Sequence, residues 1–297
     1  MKTPAHRTGR VAIVGRPNVG KSTLLNALVG VKLAAVTPKP QTTRTRIVGV
    51  RTLPGAQVIF VDTPGIHAAR SALNRRMVDV AEQAIPEVDT VCLVLDADAG
   101  VTPADRGLIE RLTAQRAQTI VALNKIDRVK KPALLPQLAA VAELLPGRVL
   151  VPLSARRGEG VPSLLEAVVR TLPEGPPQFG DDEFTTESSR FLVQEMVREQ
   201  LFLALEQEVP YGTAVVVDEY REEPERGLAV VTATILVERP AHKGMVIGSG
   251  GAQLKAVGRA ARLALEALLG TRLYLELFVR VEPGWSRDRR RLDEIGL

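Results

Sequence analysis

The chemistry open to this chain is concentrated first in Gly15-Arg16-Pro17-Asn18-Val19-Gly20-Lys21-Ser22, which has the spacing G-x-x-x-x-G-K-S. That spacing suits a loop that wraps phosphate. The glycines let successive backbone N–H groups turn inward, and the helix that follows offers its N-terminus to the same oxygens. Lys21 supplies a cation for the β- and γ-phosphates, and the Ser22 hydroxyl, with Thr23 beside it, is placed to ligate Mg2+. A second group is Asp62-Thr63-Pro64-Gly65. Its carboxylate would hold Mg2+ or the metal's water, and the Gly65 N–H would meet a γ-phosphate. Between the two lies a polar, basic loop flanked by Pro38 and Pro40. Within it Thr43 is the expected third metal ligand, with Thr42 as the alternative.

A third group decides which nucleotide is read. Asn124-Lys125-Ile126-Asp127 has the pattern N-K-x-D. The Asp127 carboxylate is an acceptor only, suited to guanine N1–H and the 2-amino group; adenine has neither donor there. Asn124 supports the base edge and its neighbouring loop, and the stem of Lys125 lies over the ring. The backbone of Ser154-Ala155-Arg156 is placed to meet the guanine O6. Asp127 thus excludes a kinase or an ATPase and implies GTP. Lys21, Thr43 and Asn18 are the expected catalytic residues. After Gly65 stands Ile66, where Ras-like enzymes carry a water-orienting glutamine. Isoleucine cannot orient water, so slow intrinsic turnover is expected, and the adjacent His67 reads as a solvated side chain, not a catalyst.

Each group needs a rigid element behind it. Residues 9–14 form an apolar run that suits a buried strand, and residues 23–29 have helical spacing. Residues 47–50 and 56–61 read as strands around the turn Leu53-Pro54-Gly55. Residues 90–95, 119–123 and 148–151 read as further strands, and 104–116, 132–145 and 162–172 as helices. This alternation predicts a doubly wound, mostly parallel α/β sheet with ligand loops at the carboxyl ends of its strands. Residues 1–173 are assigned to it. Residues 172–183 hold three prolines, two glycines and four acids, so a linker is placed at 174–187.

The second domain, 188–297, reads as a helix over 190–208, strands over 212–220 and 228–237, and a short helix. A long helix over 252–269, a strand over 272–281 and a basic C-terminal tail complete it. Between the two later helices lies Gly248-Ser249-Gly250-Gly251, a G-x-x-G. Such a loop lets a nucleic-acid backbone approach the peptide chain closely. Lys243, Met245, Val246, Ile247, Gly248, Ser249, Gly250, Gly251, Lys255 and Arg259 are the candidate RNA contacts. The element order predicts an α+β type-2 KH domain.

The bulk composition agrees with two aliphatic cores: 297 residues are 45% apolar, 25% charged and only 3% aromatic. The net charge of +5 hides a segregation. Residues 1–173 carry +11, residues 174–238 carry −11, and residues 239–291 carry +7. The basic segment holds the G-x-x-G, which points to a polyanion partner. Cys92 is the only cysteine and lies in an apolar run. It reads as a packed strand residue in a reducing compartment. The start, Met1-Lys2-Thr3-Pro4, lacks an apolar signal core, and no apolar run nears ~18 residues. A cytoplasmic location, at most peripheral on a membrane, is expected.

Together these motifs, with Gln41-Thr42-Thr43-Arg44, Val209-Pro210-Tyr211 and Pro283-Gly284-Trp285, resemble the bacterial Era family over nearly the whole chain. The resemblance implies a small-subunit (30S) ribosome-assembly GTPase with an N-terminal G domain and a C-terminal KH domain. That domain would grip the single-stranded 3′ end of 16S rRNA, and RNA contact would raise GTP hydrolysis. The partners are GTP and GDP, 16S rRNA and the 30S subunit, with some protein on the inner face of the cell membrane and no role for DNA. Asn18 matches a position that holds K+ in similar GTPases lacking the glutamine. Residues 68–72 depart from the Lys-rich version of the family. A GTP-gated RNA chaperone or scaffold, and a translation or tRNA-modification GTPase, are the alternative readings.

Overall fold

The computed structural model describes residues 6–65, 72–114, 118–206 and 208–297. Ile66, His67 and the rest of 66–71 lie outside the described residues, as do 115–116 at the end of one expected helix. The chain folds into two compact units. The first comprises Met1–Ala34, Thr43–Arg70 and Asn74–Thr186; the second comprises Ala35–Thr42, Ser71–Leu73 and Glu187–Leu297.

In the first unit the chain runs through β1 (Arg7–Val14), α1 (Lys21–Val29), β2 (Ile47–Leu53) and β3 (Ala56–Asp62). Next come α2 (Ala72–Ala84), β4 (Thr90–Asp96), α3 (Pro103–Ala114), β5 (Thr119–Asn124), α4 (Lys131–Leu144), β6 (Val149–Pro152) and α5 (Val161–Thr171). The strands form one sheet in the order β2-β3-β1-β4-β5-β6. Only β2 runs antiparallel, paired with β3 through the hairpin at Pro54-Gly55; the remaining neighbours are parallel. Every residue of β3, β4 and β5 is buried. Their unbroken apolar runs are therefore those of strands covered on both faces. Register aligns the ends that matter: Asp62 lies beside Ile13, and Asp96 lies beside Asn124. The doubly wound, mostly parallel sheet is the one the alternation predicts. Helix α2 is an element the periodicity did not reveal.

The stretch expected as a linker is pinned to this unit over most of its length. Gln57 Oε1 accepts from the N–H groups of Gln178 and Phe179 at 2.7 and 3.0 Å. Thr185 donates its hydroxyl to Val48 O at 2.5 Å, and Phe184 O accepts from Val50 N at 2.8 Å. Gln57 Nε2 donates to Thr52 Oγ1 at 3.0 Å and Phe179 O at 2.9 Å, so a fully buried glutamine near the start of β3 is satisfied.

The second unit contains α6 (Ser189–Ala204), β7 (Thr213–Glu223), β8 (Leu228–Val237), α7 (Pro240–Ile247), α8 (Ala252–Leu269), β9 (Arg272–Val281) and α9 (Arg289–Glu294). Its sheet has the order β7-β8-β9, antiparallel then parallel. Ser188 caps α6, its hydroxyl accepting from Phe191 N at 3.2 Å. The helix stops at Ala204, short of the expected 208, where the Lys39 ammonium binds the carbonyls of Phe202 and Leu205. Glu195, Arg198 and Glu199 of α6 are buried and satisfied within this unit. Arg198 pairs with Glu195 and donates to Thr42 O, and Glu199 accepts from Val36 N at 2.9 Å. Trp285, 1% exposed, closes the far end, its indole N–H donating to Gly212 O at 3.3 Å. Glu238 holds the turn around it, accepting from Gly284 N at 2.8 Å and from the Ser286 hydroxyl at 2.5 Å.

Candidate functional site

The loop after β1 is wound as its sequence demands. Asn18 and Gly20 have φ of +65° and +99°, and α1 starts directly behind them. A Cβ on Gly20 would stand 2.4 Å from Asn124 Nδ2, so glycine is required by position as well as by φ. Lys21 is buried, and its ammonium spans the loop to the carbonyls of Gly15 and Arg16, 3.1 Å each. Burial lowers the Lys21 pKa to about 8, with Asp62 pulling it back up and the Arg16 guanidinium pushing it down. An ammonium held this way lacks a full counter-charge, which a polyphosphate would supply.

Three oxygens from three segments meet beside it. Ser22 Oγ lies 2.6 Å from Thr43 Oγ1 and 2.7 Å from Asp62 Oδ2, and Thr43 Oγ1 is 3.5 Å from the same carboxylate oxygen. Hard oxygen donors of this kind suit Mg2+, which keeps the rest of its shell for water and phosphate. Of the two threonines weighed from sequence, Thr43 sits in this cluster. Thr42 instead hydrogen-bonds within its own loop, to Lys39 O at 2.9 Å and Thr37 Oγ1 at 2.7 Å. Thr63 is buried with its hydroxyl on Ile13 O at 2.9 Å. It fastens the end of β3 to β1. Gly65 packs so closely on the phosphate loop that a Cβ there would lie 2.8 Å from the Pro17 backbone. Ile66 lies outside the described residues.

The N-K-x-D residues leave β5 at the same edge of the sheet. Asn124, 2% exposed, donates to Val19 O at 2.8 Å and accepts from Ala155 N at 2.9 Å. It ties the phosphate loop to the Ser154-Ala155-Arg156 loop. Lys125 adopts φ of +68° and extends its ammonium to Asn18 O at 2.5 Å. Asp127 receives the Ser154 hydroxyl at 2.7 Å. That bond holds its carboxyl below the usual carboxylate range, and the nearby Arg157 and Arg128 charges assist. In the same loop Ala155 is buried and Arg156 exposed. Sequence reasoning missed two carboxylates: Asp96, at the end of β4, and Asp105, in α3. Both bond to residues of the nucleotide loops. Asp96 ends an apolar strand just as Asp62 does, and that was the signal available.

In the second unit α7 ends at Gly248, and a single irregular turn leads into α8. Gly248, Gly250 and Gly251 have φ of +73°, +56° and +80°. No side chain caps α8, and the turn before it closes on itself, with Gly251 N–H on Gly248 O at 3.2 Å and Ala252 N–H on Ser249 O. Lys243, Met245, Ser249, Gly250, Lys255 and Arg259 are exposed around this turn. Val246 is fully buried and serves the core; Ile247, Gly248 and Gly251 are half-buried.

A phosphate loop, a guanine-reading loop and a G-x-x-G on a helix–sheet unit define a P-loop GTPase joined to a KH domain. Comparisons with known proteins agree: residues 10–125 match the family described as 50S ribosome-binding GTPase, and residues 208–286 match the KH domain family. GTPase Era of Geobacter metallireducens is 48% identical over 98% of this chain and 97% of its own, and that of Geotalea uraniireducens is 49% identical over the same shares. Aquifex aeolicus Era bound to GDP and AlF4− has a TM-score of 0.94 at 37% identity, covering 98% of this chain and 99% of that one. Era in complex with MgGDPNP and nucleotides 1506–1542 of 16S ribosomal RNA matches with the same TM-score, identity and coverage. The chain belongs to the Era family of GTPases.

Proposed function

We propose that this chain hydrolyses GTP at the loops around Lys21 and binds the 3′ end of 16S rRNA on its second unit, acting in assembly of the small (30S) ribosomal subunit. The observation that carries the GTPase reading is the meeting of Ser22, Thr43 and Asp62 oxygens beside a buried Lys21. Ser154-oriented Asp127 lies at the same sheet edge. The RNA reading rests on the G-x-x-G turn, on its basic surroundings, and on the related Era that holds a 16S rRNA fragment. That fragment belongs to the small subunit, which sets it apart from the large-subunit description of the broader GTPase family.

Ser22, Thr43 and Asp62 would hold Mg2+, which supplies charge to the β- and γ-phosphate oxygens when bound. Lys21 meets the same oxygens from the loop side, and the loop N–H groups with the α1 N-terminus complete the cradle. Gly65, lying against Pro17, brings its N–H to the γ-phosphate. Asn18 would present its amide oxygen to a K+ ion beside the phosphates, where a cation compensates the charge that develops in transfer. The decisive experiment measures GTP turnover with and without a single-stranded RNA of the 16S 3′ end. Stimulation lost in a Ser249→Asp/Gly250→Asp variant with intact GTP binding supports the reading; unstimulated turnover in the parent overturns it. For K+, turnover in KCl must exceed that in NaCl at equal ionic strength, and equal rates would remove the ion. Among the described residues no helix is long and apolar enough to cross a membrane. A minor peripheral population on the inner membrane face is part of the reading, tested by flotation with anionic vesicles.

A further inference from the structure

The Arg16 side chain does not turn toward the phosphate cradle. It enters a pair of buried carboxylates: Nε donates to Asp105 Oδ2 at 3.2 Å, and Nη2 lies 3.7 Å from Asp96 Oδ2. Asp105 is fully buried and also accepts from the Thr102 N–H and hydroxyl at 2.9 and 2.6 Å. The Asp96 oxygen that faces Arg16 receives the Lys125 ammonium at 2.6 Å, and its other oxygen accepts from Asp98 N at 2.9 Å. The same ammonium binds Asn18 O at 2.5 Å. A closed path therefore runs from the phosphate loop through Arg16, Asp96 and Lys125, and back to the phosphate loop at Asn18. It is anchored to the start of α3 by Asp105.

We propose that Asp96 is a positioning residue that fixes the phosphate-binding and base-reading loops against each other through Arg16 and Lys125. This rests on the nucleotide-site reading above. Neither Asp96 nor Asp105 belongs to a nucleotide-binding loop, yet their partners come from both. A long lysine side chain loses much of its rotamer freedom when fixed. A carboxylate that holds Lys125 before the base arrives removes that loss from the binding step. An ordinary exposed ion pair would be worth little. These pairs are shielded, with Asp96 5% and Asp105 0% exposed.

The test follows release of a fluorescent GDP analogue from Asp96→Asn, Lys125→Met and the double variant, with KM and kcat for GTP. Asn keeps the shape and the bond to Asp98 N while removing the charge. Release from Asp96→Asn should accelerate about tenfold, with the loss falling on KM and not on kcat. Asp96→Asn added to Lys125→Met should change release clearly less than it does alone, because its closer partner is already gone and only the 3.7 Å Arg16 contact remains. Arg16→Gln, which removes the guanidinium shared by the two carboxylates, should accelerate release severalfold. Parental release rates in Asp96→Asn, or full additivity with Lys125→Met, would overturn the proposal. Asp127→Asn in the same assay separates the two levels. If it fails to shift preference toward xanthosine diphosphate, the site reading fails. If it shifts while Asp96→Asn is silent, only the positioning role fails.

Discussion

Asp127 and Gly65 are where single atoms would set what the proposed nucleotide site accepts. With Ser154 donating to one Asp127 oxygen, the other is left to the base edge, and Asp127→Asn exchanges an acceptor for a donor. The variant should prefer xanthosine over guanosine nucleotides, measured by competition binding. Because hydrogen bonding holds the carboxyl below its usual range, the charged form persists as pH falls, so GDP affinity in the parent should not be lost at Asp127 between pH 7 and about pH 5, below the range in which Lys21, lowered to about 8, gives up its proton. At Gly65, a Cβ 2.8 Å from Pro17 backbone atoms has nowhere to go. Gly65→Ala should raise KM for GTP or slow turnover by at least tenfold, read in steady-state kinetics, through displacement of the phosphate loop. The identities of these residues were legible because each motif is a short string with its own chemistry. Asn124 was legible as a base-loop residue, but its tie to Val19 spans 105 positions, and no local pattern announces a partner so far away. Arg16 was read only as part of the phosphate loop. Its engagement with Asp96 and Asp105 depends on the parallel β1–β4 pairing, which the sequence does not spell out.

At the scale of elements, most strands declared themselves because both faces of β3, β4 and β5 are covered, which leaves unbroken apolar runs. Helix α2 did not, since Ala72–Ala84 mixes Asn, Arg, Asp, Glu and Gln among its apolar positions. Helix α9 escaped because only Leu292 is buried within it and an Asp288 cap starts it. Glu238 at the end of β8 organises that C-terminal region. Burial alone would raise its pKa, but the Ser286 hydroxyl and the Gly284 and Ser286 N–H groups outweigh this and hold it down. A depressed carboxyl stabilises the fold above its unfolded pKa, and the gain is lost as pH falls through the folded value, below about 4.5. Glu238→Ala should therefore lower stability by about 1–2 kcal/mol at neutral pH, with a red shift of Trp285 emission, checked by urea titration. The G-x-x-G turn makes its own prediction. Affinity for a single-stranded 16S 3′-end RNA should fall steeply with added salt, because phosphate contacts release counterions. The Ser249→Asp/Gly250→Asp variant should lose most of that affinity.

The whole molecule is two units of different architecture on one chain, and charge is segregated along the second. The basic 239–291 segment, at +7, surrounds the proposed RNA turn, and the acidic 174–238 segment precedes it. Cys92 and Trp285 each occur once, and each is fully enclosed, Cys92 at 0% and Trp285 at 1% exposure. Burial pushes the Cys92 thiol up to about 12, so a thiol reagent meets neither the sulfur nor its thiolate while β4 is intact. Cys92 belongs to the first unit and Trp285 to the second. Nature has thus left one chemical reporter and one optical reporter, each assigned to a single unit and free of background from any sibling. Labelling of the thiol and emission of the indole, followed in one denaturant series, should give non-coincident midpoints, as expected for units that unfold separately. A saturating guanine nucleotide should then move the thiol curve to higher denaturant and leave the indole curve in place.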